Sequence, residues 1–288
     1  MTQPGLRNLV LIVVAALIAF AGLFVIATRW SSSDGPGSAE LATAWQDELE
    51  SRIRFVSAAT ALGEGTVMLG LELRMTQGWK TYWRNPGDSG FAPQFDWSAS
   101  DNVRDVEIVW PAPQAFDEAG ERYYGYKDHV LWPLRVTAHD AATPAHLVLT
   151  LNYGVCADVC VPARAHLKIA IPAGAASPTT GASLIAAAMK QAPADAEAIN
   201  FTPEVTLTNV VGSRAALHIA PGEGDFRPTL AIVSGQPGPY FGASKPFEEN
   251  GFLVPVDSAD PETLRGTTVN LVLRSADGRA AEGNFLIQ

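Results

Sequence analysis

The feature that most limits how this chain can fold is a two-residue alternation of apolar side chains, repeated in short runs. In "GTVMLGLELRM" (65–75), Val67, Leu69, Leu71 and Leu73 share one face. In "AHLVLTLNYGV" the same holds for Leu147, Leu149, Leu151 and Tyr153. "VPARAHLKIAI" places Ala163, Ala165, Leu167, Ile169 and Ile171 on one face and Arg164, His166 and Lys168 on the other. Period two is that of a strand with one buried face; a helix brings side chains together every 3.6 residues instead. The 25 glycines and 20 prolines supply the turns that many short strands need.

The pattern continues beyond these runs. "VEIVWPAPQAF" reads as a strand ending at prolines, and "HVLWPLRVTA" as another. "GWKTYWRNPGDSGFAP" (78–93) is aromatic and then turn-rich, with Asn85-Pro86-Gly87-Asp88 as a strong turn signal. Trp79 and Trp83 suit the core of such a corner, while Trp83, Arg84 and Asp88 also offer a surface for a partner. After residue 200, "EVTLTNVVG", "AALHIA", "RPTLAIVSG", "GFLVPVDS", "TVNLVLRS" and "EGNFLIQ" have the strand-and-turn rhythm of a second sandwich.

Between the two lies the Ala-rich stretch 173–200, a connector with a short helix predicted around 182–191. All seven tryptophans lie at or before Trp132, which gives the two halves different roles and puts chemistry or recognition in the first. The expected organisation is all-β: a hydrophobic segment (1–30), a polar linker with a turn or two of helix (31–50), a first β-sandwich (51–172), the connector (173–200) and a second β-sandwich (201–288).

Leu9 to Ala27 is an unbroken run of 19 residues without a charged or strongly polar side chain. Such a run just spans a hydrocarbon core of about 30 Å as a helix. It exceeds the apolar part of most signal peptides, roughly 7–15 residues, although Val25 and Ala27 fit the small-residue rule for cleavage after Ala27. Both readings, anchor or cleaved signal, put the remainder outside the cytoplasm, where disulfides form. The formal net charge of -10 excludes nucleic acid as a partner, because phosphates repel an acidic chain that has no basic cluster.

The only two cysteines are Cys156 and Cys160, in "LNYGVCADVCVPARAHL" between the two longest alternating runs. Three chemistries fit two thiols placed four apart at a strand turn. As a structural staple, a ring of about five residues contributes only about 2 kcal/mol, against about 4–5 for a 100-residue loop. Short rings are also readily reduced, which suits a dithiol that trades electrons. A metal clip needs two further ligands, and the five histidines are scattered; His166 is the nearest in sequence and the one to consider for Cu(I). Asp158, between the cysteines, disfavours a nearby thiolate or serves simply as a turn residue.

The first half resembles the N-terminal periplasmic domain of the thiol:disulfide interchange protein DsbD, and more closely its counterpart in the related ScsB proteins. The motifs that carry the resemblance are "GWKTYWRNPGDSGFAP", "VWPAP", "YYGYKDHVLWPL" and "NYGVCADVCVP", over roughly residues 52–172. It implies an immunoglobulin-like domain, hence two immunoglobulin-like β-sandwich domains in all. It also implies a Gram-negative periplasmic location, with residues 9–27 as the inner-membrane anchor if retained.

The resemblance further implies that Cys160 forms the mixed disulfide with partners and Cys156 resolves it, with no bound cofactor. Electrons come from a membrane-embedded CcdA- or DsbD-like donor and pass to periplasmic disulfide-containing clients. A cap loop with an aromatic residue shields the pair until a partner displaces it: "ERYYGYK" takes that place, with Tyr123 and Tyr124 as shields and Glu121 as the acidic neighbour. DsbD itself spaces its cysteines further apart, and here neither further membrane spans nor a thioredoxin-like Cys-x-x-Cys follows. The rival readings are a periplasmic binding or chaperone-like module with a purely structural disulfide, and a Cu(I)-handling protein.

Overall fold

The computed structural model describes residues 40–288 apart from 89, 119, 211–213, 221, 223–224, 235–239 and 249–250. The predicted membrane or signal segment, residues 9–27, lies outside the described residues.

Among the described residues eleven strands precede residue 172: β1 (Gln46–Glu48), β2 (Ser51–Ser57), β3 (Thr66–Met75), β4 (Lys80–Gly87), β5 (Gln94–Asp96), β6 (Val103–Ile108), β7 (Gln114–Glu118), β8 (Glu121–Lys127), β9 (His129–Ala138), β10 (Ala145–Cys156) and β11 (Cys160–Ile171). They form two sheets, in the orders β1-β2-β3-β9-β6 and β11-β10-β4-β8-β7, with β5 paired to β10. The alternation read from the sequence faces inward: Val67, Leu69, Leu71 and Leu73 of one sheet meet Leu147, Leu149, Leu151 and Tyr153 of the other in a shared core. Trp83 and Trp132 are fully buried there, and Phe95, Trp110 and Tyr126 set their rings edge-on around Trp132. The architecture is an immunoglobulin-like β-sandwich.

Where a turn or two of helix was expected before residue 50, residues 46–48 instead pair with β2, Gln46 opposite Ile53. The cause lies next to the strand, where the Trp45 ring is covered by the guanidinium groups of Arg52 at 4.8 Å and Arg54 at 4.5 Å. Both arginines project from β2, so the cation–π contacts hold the segment flat against that edge.

The predicted connector helix is α1 (Gly181–Met189); Ile185 and Ala188 pack on Val56 and Leu131 of the first sandwich. The remaining strands are β12 (Ala194–Asp195), β13 (Glu204–Val210), β14 (Arg214–Ala220), β15 (Pro228–Ser234), β16 (Tyr240–Phe241), β17 (Lys245–Phe247), β18 (Gly251–Asp257), β19 (Thr268–Ser275) and β20 (Ala280–Leu286). They make sheets ordered β12-β20-β19-β15 and β13-β14-β18-β16, with β17 on β18, around a second core that includes Leu217, Val254 and Leu271. Leu230, Ile232 and Val272 belong to the first core, so the second sandwich closes one end of the first.

Candidate functional site

The site is built at the far end of the longest hairpin. The twelve-residue strands β10 and β11 pair without a break from Ala145↔Ile171 to Cys156↔Cys160. Ala157, Asp158 and Val159 form the turn, closed by the Ala157 N–H donating to the Val159 carbonyl at 3.0 Å. The two cysteines occupy the last rung and are joined by a disulfide, with Cα atoms 4.1 Å apart. Tyr153 faces the core, so Cys156, three residues on, falls on the opposite face of the sheet.

The two sulfur-bearing residues differ in access. Cys156 is only 3% exposed, while Cys160 is exposed beside Asp158 and Val159. The Tyr82 hydroxyl reaches both sulfurs, at 3.0 Å from Cys156 Sγ and 3.2 Å from Cys160 Sγ. Its ring is accommodated by two glycines. A Cβ at Gly90 would overlap the ring, and one at Gly154 would come within 3.3 Å of it. Tyr123 sets its ring against Tyr82 at 5.7 Å, and Phe116 stacks on Tyr123 at 5.4 Å, so a short aromatic stack covers Cys156. Beside the exposed sulfur lies an open apolar groove of about 410 Å³, lined by Tyr82, Gly90, Phe91, Gly154, Cys160, Val161 and Pro162. Phe91 at its rim is 43% exposed, and Val159 at the turn 62%.

Charges ring this stack. Lys80 bonds the Glu118 carboxylate and lies over the rings of Phe116 and Tyr123. Burial raises the Tyr82 phenol above its ordinary value, and the Glu118 and Glu121 carboxylates add to that against Lys80. Burial and then Glu118 likewise push Tyr123 well up. Both phenols therefore stay protonated across the range in which a thiol titrates.

Residues 51–171 match the family model of the N-terminal domain of the thiol:disulfide interchange protein DsbD. Over these residues the first sandwich is similar to DsbD N-terminal domains. A solved structure, the N-terminal periplasmic domain of ScsB from Proteus mirabilis, superposes with a TM-score of 0.67 at 24% identity, covering 86% of this chain and 99% of that one. That coverage extends well past residue 171, so the shared fold includes the second sandwich. No curated protein matches the sequence.

Of the residues singled out from the sequence, the first sandwich brings Cys156, Cys160, Asp158 and Tyr123 to one end of the sheet. Glu121 is exposed on the strand that carries Tyr123 and acts on Tyr82 through its charge. Tyr124 goes elsewhere. It faces the core, fully buried, and its hydroxyl accepts from the Ser244 N–H at 3.4 Å. The cause is that "ERYYGYK" is strand β8 and not a loop, so adjacent residues point to opposite faces. His166 sits opposite Thr150, six rungs from the cysteines, about 20 Å at strand rise. Among the described residues no group of three His, Cys, Asp or Glu side chains is arranged to hold a metal. Sequence reasoning missed Tyr82, Phe116 and Phe91.

Proposed function

We propose that the protein carries out thiol–disulfide exchange in the periplasm, taking electrons from a membrane-embedded reductase and passing them to client disulfides through Cys156 and Cys160. In the reduced form the Cys160 thiolate attacks one sulfur of a client disulfide, forming a mixed disulfide and releasing the other client sulfur as a thiolate. Cys156 then attacks the Cys160 sulfur. The client leaves as a dithiol, the Cys156–Cys160 disulfide is restored, and two electrons have moved to the client. A dithiol of the membrane partner returns two electrons by the same two steps in the reverse sense. Residues 9–27 export or tether the chain.

One observation carries this reading: a disulfide with one exposed and one buried cysteine, capped by an aromatic stack and flanked by an open apolar groove. The exposed member is the one a partner reaches, and the buried member waits within bonding distance to resolve. The groove gives a client's extended segment an apolar surface beside the reacting sulfur.

The test uses single variants of the exported chain and equilibration in thiol buffers. Cys156→Ser should accumulate mixed disulfides through Cys160, and Cys160→Ser should lose client reduction altogether. The reduction potential should fall between about -180 and -250 mV, the range of exchange proteins. A potential below about -300 mV, with neither variant altering reduction of any client, would mark a resistant structural bridge and transfer the function to binding.

A further inference from the structure

Tyr82 and Tyr123 of the aromatic stack stand on two strands, β4 and β8, that the second sandwich also holds. On β4 the pairing with β8 breaks between Tyr82↔Gly125 and Gly87↔Tyr123, so five steps on one strand oppose two on the other. The extra residues bulge out, and the second sandwich receives them. Arg84 pairs with Glu282 at 2.6 Å, and the Asn85 side chain donates to the Val233 carbonyl. Just beyond the bulge the Tyr240 hydroxyl donates to the Gly87 carbonyl at 2.6 Å, and the Ala243 N–H donates to Asp88 at 2.9 Å. On β8, alternation sends Tyr123 toward the disulfide and its neighbours the opposite way. Arg122 donates to the Ser244 carbonyl at 3.1 Å, and Tyr124 accepts from the same residue's N–H.

We infer that the second sandwich is a clamp that positions the aromatic cap: by holding Arg84–Asp88 and Arg122–Tyr124 it fixes Tyr82 and Tyr123 over Cys156 and so sets how readily the sulfurs react. The physical basis is the stiffness of strands. Tyr82 is two residues from Arg84, and Tyr123 lies between two residues bonded to Ser244. An opening that shifts either strand therefore has to move backbone that the second sandwich holds. This clamp gives the second sandwich a function in the exchange reaction without contributing a reacting group. It rests on the exchange reading only for its purpose; the clamp itself is testable with no client present.

The experiment uses the full exported chain carrying Glu282→Ala together with Tyr240→Phe, both in the second sandwich and remote from the sulfurs. The readouts are the rate at which a phosphine reduces the disulfide and the rate at which iodoacetamide alkylates the reduced pair. Both should rise about tenfold, the factor one lost charge-assisted hydrogen bond makes in an opening equilibrium. Hydrogen exchange should speed up at Gly87, Asp88 and Arg122. Glu282→Gln, which keeps the side-chain volume, should move the rates the same way by less.

In a Tyr82→Ala/Tyr123→Ala background, where both rings of the cap are gone, the clamp variant should add nothing further; a loss of general stability would add its effect in both backgrounds. Rates within twofold of the parent, or equal acceleration with and without the two rings, overturn the clamp. Because no client is present, that result is distinguishable from a failure of the exchange reading, which the cysteine variants and the potential decide.

Discussion

Replacing Tyr82 by Phe isolates what one hydroxyl does to the reactivity of the pair. The ring remains between Gly90 and Gly154 and against Tyr123, so access to the sulfurs is unchanged. What is lost is a donor 3.0 Å and 3.2 Å from the two sulfurs. In the disulfide those sulfurs are weak acceptors and the loss is small. In the dithiol, the same O–H facing a thiolate makes a charge-assisted bond of about 1.5–3 kcal/mol. With about 1.4 kcal/mol per pKa unit, Tyr82→Phe should raise the pKa of the more acidic thiol by about one to two units.

The kinetic consequence has a definite sign. Below that pKa the thiolate fraction falls by the full shift, while the nucleophilicity of each thiolate rises by about half of it, so reaction near pH 7 slows about three- to tenfold. Above both values the order inverts, and the variant reacts faster. The Tyr82 phenol, raised by burial and by Glu118, stays protonated throughout and cannot confuse the titration. Ultraviolet thiolate absorbance gives the pKa, and alkylation rates against pH give the crossing. A thiol pKa that is unchanged or lowered in the variant refutes the argument that Tyr82 acts as a donor to sulfur.

Two further outcomes follow from packing and charge. Gly90 has φ near 132° and leaves no room for a Cβ beside the Tyr82 ring; Gly90→Ala should therefore cost about 1–3 kcal/mol in denaturant unfolding and, by displacing the ring, speed reduction of the disulfide by a phosphine. Glu72 is a buried carboxylate bonded by Arg54 at 2.8 Å and Arg74 at 2.9 Å, with His129 at 3.2 Å. Burial acts to raise its pKa, but the two arginines outweigh it and hold the carboxyl below its ordinary 4.5. Its contribution is therefore complete above pH 4.5 and is lost as pH falls through the depressed folded value. Glu72→Gln should lose about 1–3 kcal/mol at neutral pH, less than a fully enclosed pair because the arginines reach solvent, and should flatten the acid limb of the stability curve.

The fold was legible because its physics is local. Every long alternating run in the sequence is a strand with that face inward, since a sheet has only two faces and water chooses between them. The same local rule, applied to "ERYYGYK", would have separated Tyr123 from Tyr124: neighbours on a strand cannot both cover one disulfide. Treating the stretch as a cap loop hid that. Tyr82 was not legible by any local rule. It reaches Cys156 across 74 residues of sequence, and only the β4–β10 pairing, Thr81 opposite Val155 and Lys80 opposite Cys156, brings it there. The segment around it advertised a turn, and the turn is instead a bulge whose use is to meet the second sandwich. Of the residues offered there, Trp83 lies in the core, and Arg84 and Asp88 bind the second sandwich of the same chain.

The placement of the disulfide bears on why it exists. Eleven unbroken rungs from Ala145↔Ile171 to Val155↔Val161 already fix the hairpin before the cysteines are reached. A bond across the twelfth rung closes a ring of about five residues and constrains the unfolded chain by only about 2 kcal/mol. A staple placed for stability gains more by joining segments distant in sequence. The surroundings cost something as well. Two glycines make room for one tyrosine ring, and the Tyr123 hydroxyl is taken out of water beside the Glu118 carboxylate. Such concessions around a bond that adds little stability are understandable if the bond is meant to be broken and remade, with its reactivity set by what covers it.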